Sequence, residues 1–407
     1  MESVGEELSR TFDLAALPPD FYENPYPTYR ALLAFEPVKR LSNGSYFLTR
    51  YADLLNAYRN TKVFSSDKKT EFKPKFGDSL LYEHHTTSLV FNDPPLHTRV
   101  RRLIAGALTP RAIAAMEPSL VALVDGLLDR MAEKGRVDLI EDFAAAIPVE
   151  VIGNLLAVPR DERGPLRGWS LAILGALEPV VSPEALRRGN QALEAFLAYL
   201  DRLIRDRRAS LGDPEHDVLT RLIQGEEGGE RLTAKELAHN CVFLLNAGHE
   251  TTTNLIGNGL AALLEHPTET RRLIAEPSLT KTAVEEILRY ESSNQLGNRI
   301  TTEEVEIGGI RMPPSTQVTL CIGAANRDPA QFDDPDRFDV ARTPNRHLAF
   351  GSGIHQCAGM SLARLEGAVA ISRFLARFPN YALAGKPVRG GRARFRGFLS
   401  LPCDVNA

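Results

Sequence analysis

The stretch that decides the fold is Phe350-Gly351-Ser352-Gly353-Ile354-His355-Gln356-Cys357-Ala358-Gly359, a glycine-rich run leading into an amphipathic helix read over 358–377. A thiolate at such a junction receives unpaired backbone N–H groups and the positive end of the helix dipole, which lower its pKa and suit it to hold an iron. Gly353 and Gly359 allow backbone to approach the sulfur from both sides, and Phe350 shields it from water. A lone cysteine is ordinarily a small buried hydrophobe. Spacing argues otherwise here: in a chain of 407 residues with 18 Phe, 30 Gly and 4 Cys, F-x-x-G-x-x-x-C-x-G has roughly one chance in a thousand of arising at random.

Outward from this loop, the chain reads as an ordinary globular protein, 43% hydrophobic and 25% charged, long enough to bury a large core. Its formal charge of −4 offers no field to recruit nucleic acid or an acidic membrane, and the one basic stretch, 389–396, reads as a solvated face. The N-terminus lacks the order of a signal peptide and no apolar run is long enough to span a membrane, so a cytoplasmic protein is expected. Cys241, Cys321, Cys357 and Cys403 are far apart, without a C-x-x-C pair, which fits a reducing compartment.

No linker, charge block or repeat marks a boundary, so one domain over 1–407 is the simplest organisation. The fold class is mainly α with a smaller β region. Helical periodicity covers 118–131, 183–207, 234–264, 280–290 and 358–377. Two hairpins are expected, 38–41 with 46–48 across Asn43-Gly44, and 305–307 with 310–312 across Gly308-Gly309. The segment 63–89, with Lys68, Lys69, Lys73, Lys75, His84 and His85, shows no clear period and reads as a long loop, a common place for a binding lid. In the long apolar helix, Phe243 to Thr253 reads FLLNAGHETTT. There Thr251 can donate to a carbonyl four residues earlier and loosen the helix beside Gly248.

The cysteine loop resembles the haem-binding loop of the cytochromes P450, the haem-thiolate monooxygenases, and further parts follow in family order. Glu286-Ile287-Leu288-Arg289 is similar to the family's E-x-x-R helix, and 326–338 to the segment after it, which implies a buried network completed by Arg337 or Arg342. E-x-x-R also occurs at Glu7/Arg10, Glu133/Arg136, Glu184/Arg187 and Glu269/Arg272, where a solvated ion pair is the better reading. The 243–253 stretch resembles the oxygen-binding helix, which implies Ala247 and Gly248 beside the cofactor and a catalytic acid–alcohol pair, Glu250 and Thr251, delivering protons. The family more often has Asp at the acid's place. His249 is read as a satisfied helix residue. His97 and Arg101, four apart on one helical face, together with Arg299 and His355, match contacts to the two propionates of haem b.

The resemblance runs from Pro25 to Pro402 and implies the cytochrome P450 fold with a long central helix over the haem. It further implies Cys357 as the iron ligand, Phe350, Gly351 and Gly359 against the cofactor, and insertion of one oxygen atom from O2 into a small, largely apolar organic substrate. The chain has no flavin or iron–sulfur motif, so electrons are expected from a separate ferredoxin/reductase system docking on the cysteine side, with Arg102, Arg346 and Arg364 as cations. Phe243, Asn246, Ala247, Gln295 and Leu296 are expected to line the substrate pocket, and the lysines of 63–89 to meet a substrate carboxylate if there is one. Two other readings share the fold: a peroxide-driven oxidant or decarboxylase, and a non-enzymatic haem-binding protein.

Overall fold

The computed structural model describes residues 3–214, 217–227 and 230–406; Met1 and Glu2 of the acidic N-terminus lie outside them. Helix accounts for 58% of the chain and strand for 10%, as the periodicities predict. The longest helix, Ala234–Glu265, is the axis of the core. It begins where Thr233 and Glu236 form a reciprocal capping box and ends at His266, just before Pro267, which opens the next helix. It is buried along most of its length because it is covered on several sides, by helices Ala146–Leu155, Leu166–Gly175, Thr280–Tyr290 and Met360–Arg377. Val242, Ile256, Leu260 and Leu263 are fully buried, each contributing about 1.5–3 kcal/mol of transfer free energy.

Beside this helical body lies a five-stranded sheet in the order Val38–Arg40, Tyr46–Leu48, Gln317–Cys321, Leu296–Thr301, Phe64–Ser65. Its pairs are antiparallel except Tyr46–Leu48 with Gln317–Cys321. Both expected hairpins form; Gly308 and Gly309 turn the second with φ of 59° and 78°, where residues bearing a Cβ are strained.

Three expectations are corrected. The 63–89 segment is not a loop: after strand Phe64–Ser65 it folds into helices Lys69–Phe76 and Leu80–Thr87, whose inward faces hold Phe72, Phe76, Leu81, His84 and His85. Mixed polar and aromatic residues blur the helical period there, because this wall faces a cavity rather than a dry core. The basic stretch is not a solvated face. Arg396 donates to Glu291 and to the carbonyls of Tyr22 and Glu23, and Arg394 to the carbonyls of Leu177 and Leu296 and the side chain of Asn298. Their partners are remote in sequence. The last major helix starts at Met360 rather than near Ala358, with Gly359 in the capping position.

Candidate functional site

The cysteine loop is held by its backbone. The N–H of Cys357 donates to Phe350 O at 2.9 Å, closing the loop on itself. Gly353 sits at φ 70°, and a Cβ there would lie 2.3 Å from the carbonyl oxygen of Tyr58, so only glycine fits. Gly359 differs from expectation: a Cβ would meet no protein atom within 4 Å, because its surroundings are open cavity. Cys357 is exposed, and what it faces is that cavity. Burial among protein raises its thiol pKa, while the Gly359 N–H and the nearby Arg101 and Arg364 pull it back.

The cavity has a volume of about 960 Å³, and the central helix forms part of its wall. Ala247, Gly248 and Thr251 line it together with Cys357, Phe350, Gly351 and Gly359. The Thr251 hydroxyl donates to Ala247 O at 2.7 Å, the bond to the preceding turn expected from sequence, and the helix continues unbroken through it. A Cβ at Gly248 would come 2.5 Å from Ile152 Cδ1, so that side chain would have to shift to admit one.

Glu250 points elsewhere. Its carboxylate accepts from Arg392 Nη1 at 2.5 Å, its other oxygen has no partner, and it lines a separate pocket of about 20 Å³ with Arg167, His249, Thr253, Asn254 and Arg392. Burial pushes its pKa up to about 7 against the opposing pull of Arg392. His249 is buried with neither ring nitrogen bonded, so it is not the satisfied helix residue expected; burial and Arg167 hold it down to about 3.

At another part of the wall, cationic and imidazole groups converge. Arg101, Arg299 and His355 line the cavity, while His97 lies behind with its ring 4.0 Å from that of His355. Nε2 of His355 and Nε of Arg299 are buried without partners, and the His97 imidazole lies against the Ile354 backbone. Burial, then Arg299, His97 and Arg101, hold His355 down to about 2.

The E-x-x-R pair is fully buried. Arg289 donates to both oxygens of Glu286 at 2.8 Å and to the carbonyls of Asn326, Pro335 and Arg337. Glu286 also accepts from Arg342 Nε, the Asp339 N–H and Asn345 Nδ2. Of the two candidate third members it is Arg342 that joins; Arg337 contributes its carbonyl, and its side chain is exposed.

A protein-family model for "Cytochrome P450" matches residues 174–384. The cytochrome P450 monooxygenase PikC of Streptomyces venezuelae is 38% identical over 400 residues, covering 96% of this chain and 93% of that protein. The chain belongs to the cytochromes P450. Its fold matches the crystal structure of P450BioI in complex with hexadec-9Z-enoic acid ligated acyl carrier protein with a TM-score of 0.88 and 35% identity, over 95% of this chain and 99% of that one. Myxobacterial cytochrome P450 CYP267B1 in complex with myristic acid matches with a TM-score of 0.87 and 35% identity, over 95% and 97%.

As a cytochrome P450 it is an oxidoreductase, a monooxygenase that binds haem b and acts on a small molecule with O2 and redox partners. The residues present fit that cofactor: a cysteine sulfur facing a large cavity, open space beside Gly359, and unpartnered buried donors that require an anion. Among the described residues no helix is long and apolar enough to cross a membrane.

Of the expected substrate contacts, Phe243, Asn246, Ala247 and Leu296 line the cavity, whereas Gln295 does not. Gln295, just before strand Leu296–Thr301, is wholly buried, its amide donating to Ser292 O and its backbone carbonyl accepting from the Ile322 N–H. Asn246 is 2% exposed with both amide atoms unpartnered. On the cysteine side Arg102 and Arg346 are exposed, while Arg364 is held by both oxygens of Glu285. Lys75 and His85, from the 63–89 segment, line the cavity; Arg392 and Ser293 also reach these pockets, and no local pattern in the sequence marks those two, since each arrives through tertiary packing.

Proposed function

We propose that this cytochrome P450 inserts one oxygen atom of O2 into a small, largely apolar organic substrate, with electrons from a separate ferredoxin/reductase system. The observation that carries the reading is a single cavity whose wall includes both Cys357 and the Ala247–Thr251 turn of the central helix. Cys357 would hold the haem iron, and haem so bound would supply the oxygen-activating chemistry. The balance is R–H + O2 + 2 e⁻ + 2 H⁺ → R–OH + H2O.

This chain's residues supply the rest. Arg101, Arg299 and His355, with His97 behind His355, would hold the cofactor's propionates by charge-assisted hydrogen bonds, and Phe350, Gly351 and Gly359 would pack against it. Thr251 presents its hydroxyl oxygen to the cavity while its proton is engaged by Ala247 O. Glu250, with a pKa of about 7, holds and releases a proton at its unpartnered oxygen near neutral pH, in a pocket about the size of one water. Phe243, Ala247 and Leu296 give the substrate an apolar surface, and Asn246 offers it a hydrogen bond. Thr251 at the cavity wall, preceded by a titratable Glu250 in its own small pocket, favours O2 and external electrons over a peroxide-driven reaction, which needs no proton supply.

The test is turnover of the holoenzyme with NAD(P)H and a ferredoxin system against turnover with peroxide alone. Thr251→Ala is expected to keep haem but release most reducing equivalents as peroxide; unchanged product per NAD(P)H consumed removes Thr251 from the proton path.

A further inference from the structure

The cavity wall formed by helices Lys69–Phe76 and Leu80–Thr87 carries an unbalanced charge. Of its lysines, Lys69 and Lys73 are exposed and paired with Asp67 and Asp78, and Lys68 is buried against Glu71 at 2.6 Å. Lys75 alone makes no direct ion pair, the carboxylates of Glu178 and Glu71 acting on it only at longer range. Its Nζ donates to the backbone carbonyl of Glu178 at 2.6 Å and lies 5.3 Å from the ring of Phe76. The carboxylate of Glu178 is turned away from it, accepting from the backbone N–H groups of Ala393, Arg394 and Phe395.

Lys68, Lys75 and Arg394 therefore set three positive charges against the two of Glu71 and Glu178, and all but Glu178 line the cavity. Next to Lys75 is His85, 2% exposed, ringed by Phe72, Phe76 and Phe91, with Nε2 bonded to nothing. Burial and the neighbouring Lys75 and Arg394 keep that ring neutral, so Nε2 can serve as a neutral donor. The remaining wall here is apolar, with Leu89, Leu174, Leu177 and Leu244. A half-buried cation whose one hydrogen bond goes to a backbone carbonyl, beside an unfilled donor, has capacity left for an anionic oxygen.

We infer that the substrate is a free amphipathic carboxylic acid, such as a fatty acid, whose carboxylate is held by Lys75 Nζ and His85 Nε2 while its aliphatic body fills the apolar cavity. The inference rests on the monooxygenase reading and names its substrate class.

The experiment is a haem spin-shift titration of the holoenzyme with tetradecanoic acid and with its methyl ester, in wild type, Lys75→Met, Lys75→Arg and His85→Phe. The acid is expected to bind about tenfold more tightly than the ester, as one charge-assisted contact supplies. Lys75→Met brings the ratio close to one, Lys75→Arg preserves it, and His85→Phe lowers it by a few-fold. Equal affinity for acid and ester in wild type, a ratio that survives Lys75→Met, or a response only to an acyl chain carried on acyl carrier protein each overturns the acid anchor. The carbon monoxide difference spectrum of the same reduced samples separates the two levels: with the thiolate-ligated band present, a failed titration counts against the anchor alone, whereas its absence in haem-containing protein overturns the monooxygenase reading and the anchor with it.

Discussion

Two buried glutamates, each facing an arginine, behave as opposites in this molecule. Glu286 shares its oxygens among Arg289, Arg342, Asn345 and the Asp339 N–H, while Arg289 spends its remaining donors on three backbone carbonyls. Glu250 has one bond, to Arg392, and one bare oxygen. Both carboxylates are removed from water, so the difference lies in how far the protein replaces the lost hydration. A saturated carboxylate ties the Thr280–Tyr290 helix to the 326–345 segment that leads into the cysteine loop. A half-satisfied one has its pKa raised by burial into the range where it exchanges protons at neutral pH.

The sharpest way to break this contrast is Glu286→Ala, which strands Arg289 and Arg342 in the interior. It is expected to cost about 3–5 kcal/mol and yield little haem-loaded protein. Haem content and chemical denaturation measure this, and normal loading would mean the network is dispensable. Glu250→Gln probes the other member. Its folded pKa of about 7 lies above the ordinary 4.5. Below pH 4.5 both folded and unfolded chains hold the proton; between 4.5 and 7 the unfolded chain loses it first, so wild-type stability falls as pH rises. The loss approaches about 3 kcal/mol across that window. Glu250→Gln lacks this term, and parallel stability curves for the two proteins from pH 4.5 to 8 would contradict the raised pKa. The smallest effect is expected from Glu184→Ala. That glutamate makes the same i, i+3 pair with Arg187, but both side chains are more than half exposed, and the cost should stay near about 0.5 kcal/mol or less, as thermal melting would show.

The comparison also explains what could be read in the sequence. Glu184-x-x-Arg187 and Glu286-x-x-Arg289 are indistinguishable as local patterns; only the order of neighbouring motifs singled out the second. Similarly, the hydroxyl of Thr251 reaches a carbonyl one turn back, and that bond was foreseeable because both atoms lie on one helix. The partner of Glu250 was not, since Arg392 arrives from a stretch whose dense positive charge reads as surface. Gln295 was expected at the cavity and is instead buried away from it, because its amide is tied to Ser292 O and its backbone to Ile322 and Arg394, contacts set by remote segments.

The sequence by itself determined the helical character, both hairpins, and the cysteine loop with its following helix, because their signals are set by periodicity, turn chemistry and spacing within a few residues. Tertiary structure alone decided that 63–89 is a helical cavity wall, that the arginines of 389–396 are interior ties, and that Glu250, His249 and Lys75 lack full partners. Those outcomes depend on which remote groups meet once water is excluded, and a buried charge is defined by all of its neighbours, most of which lie far away along the chain.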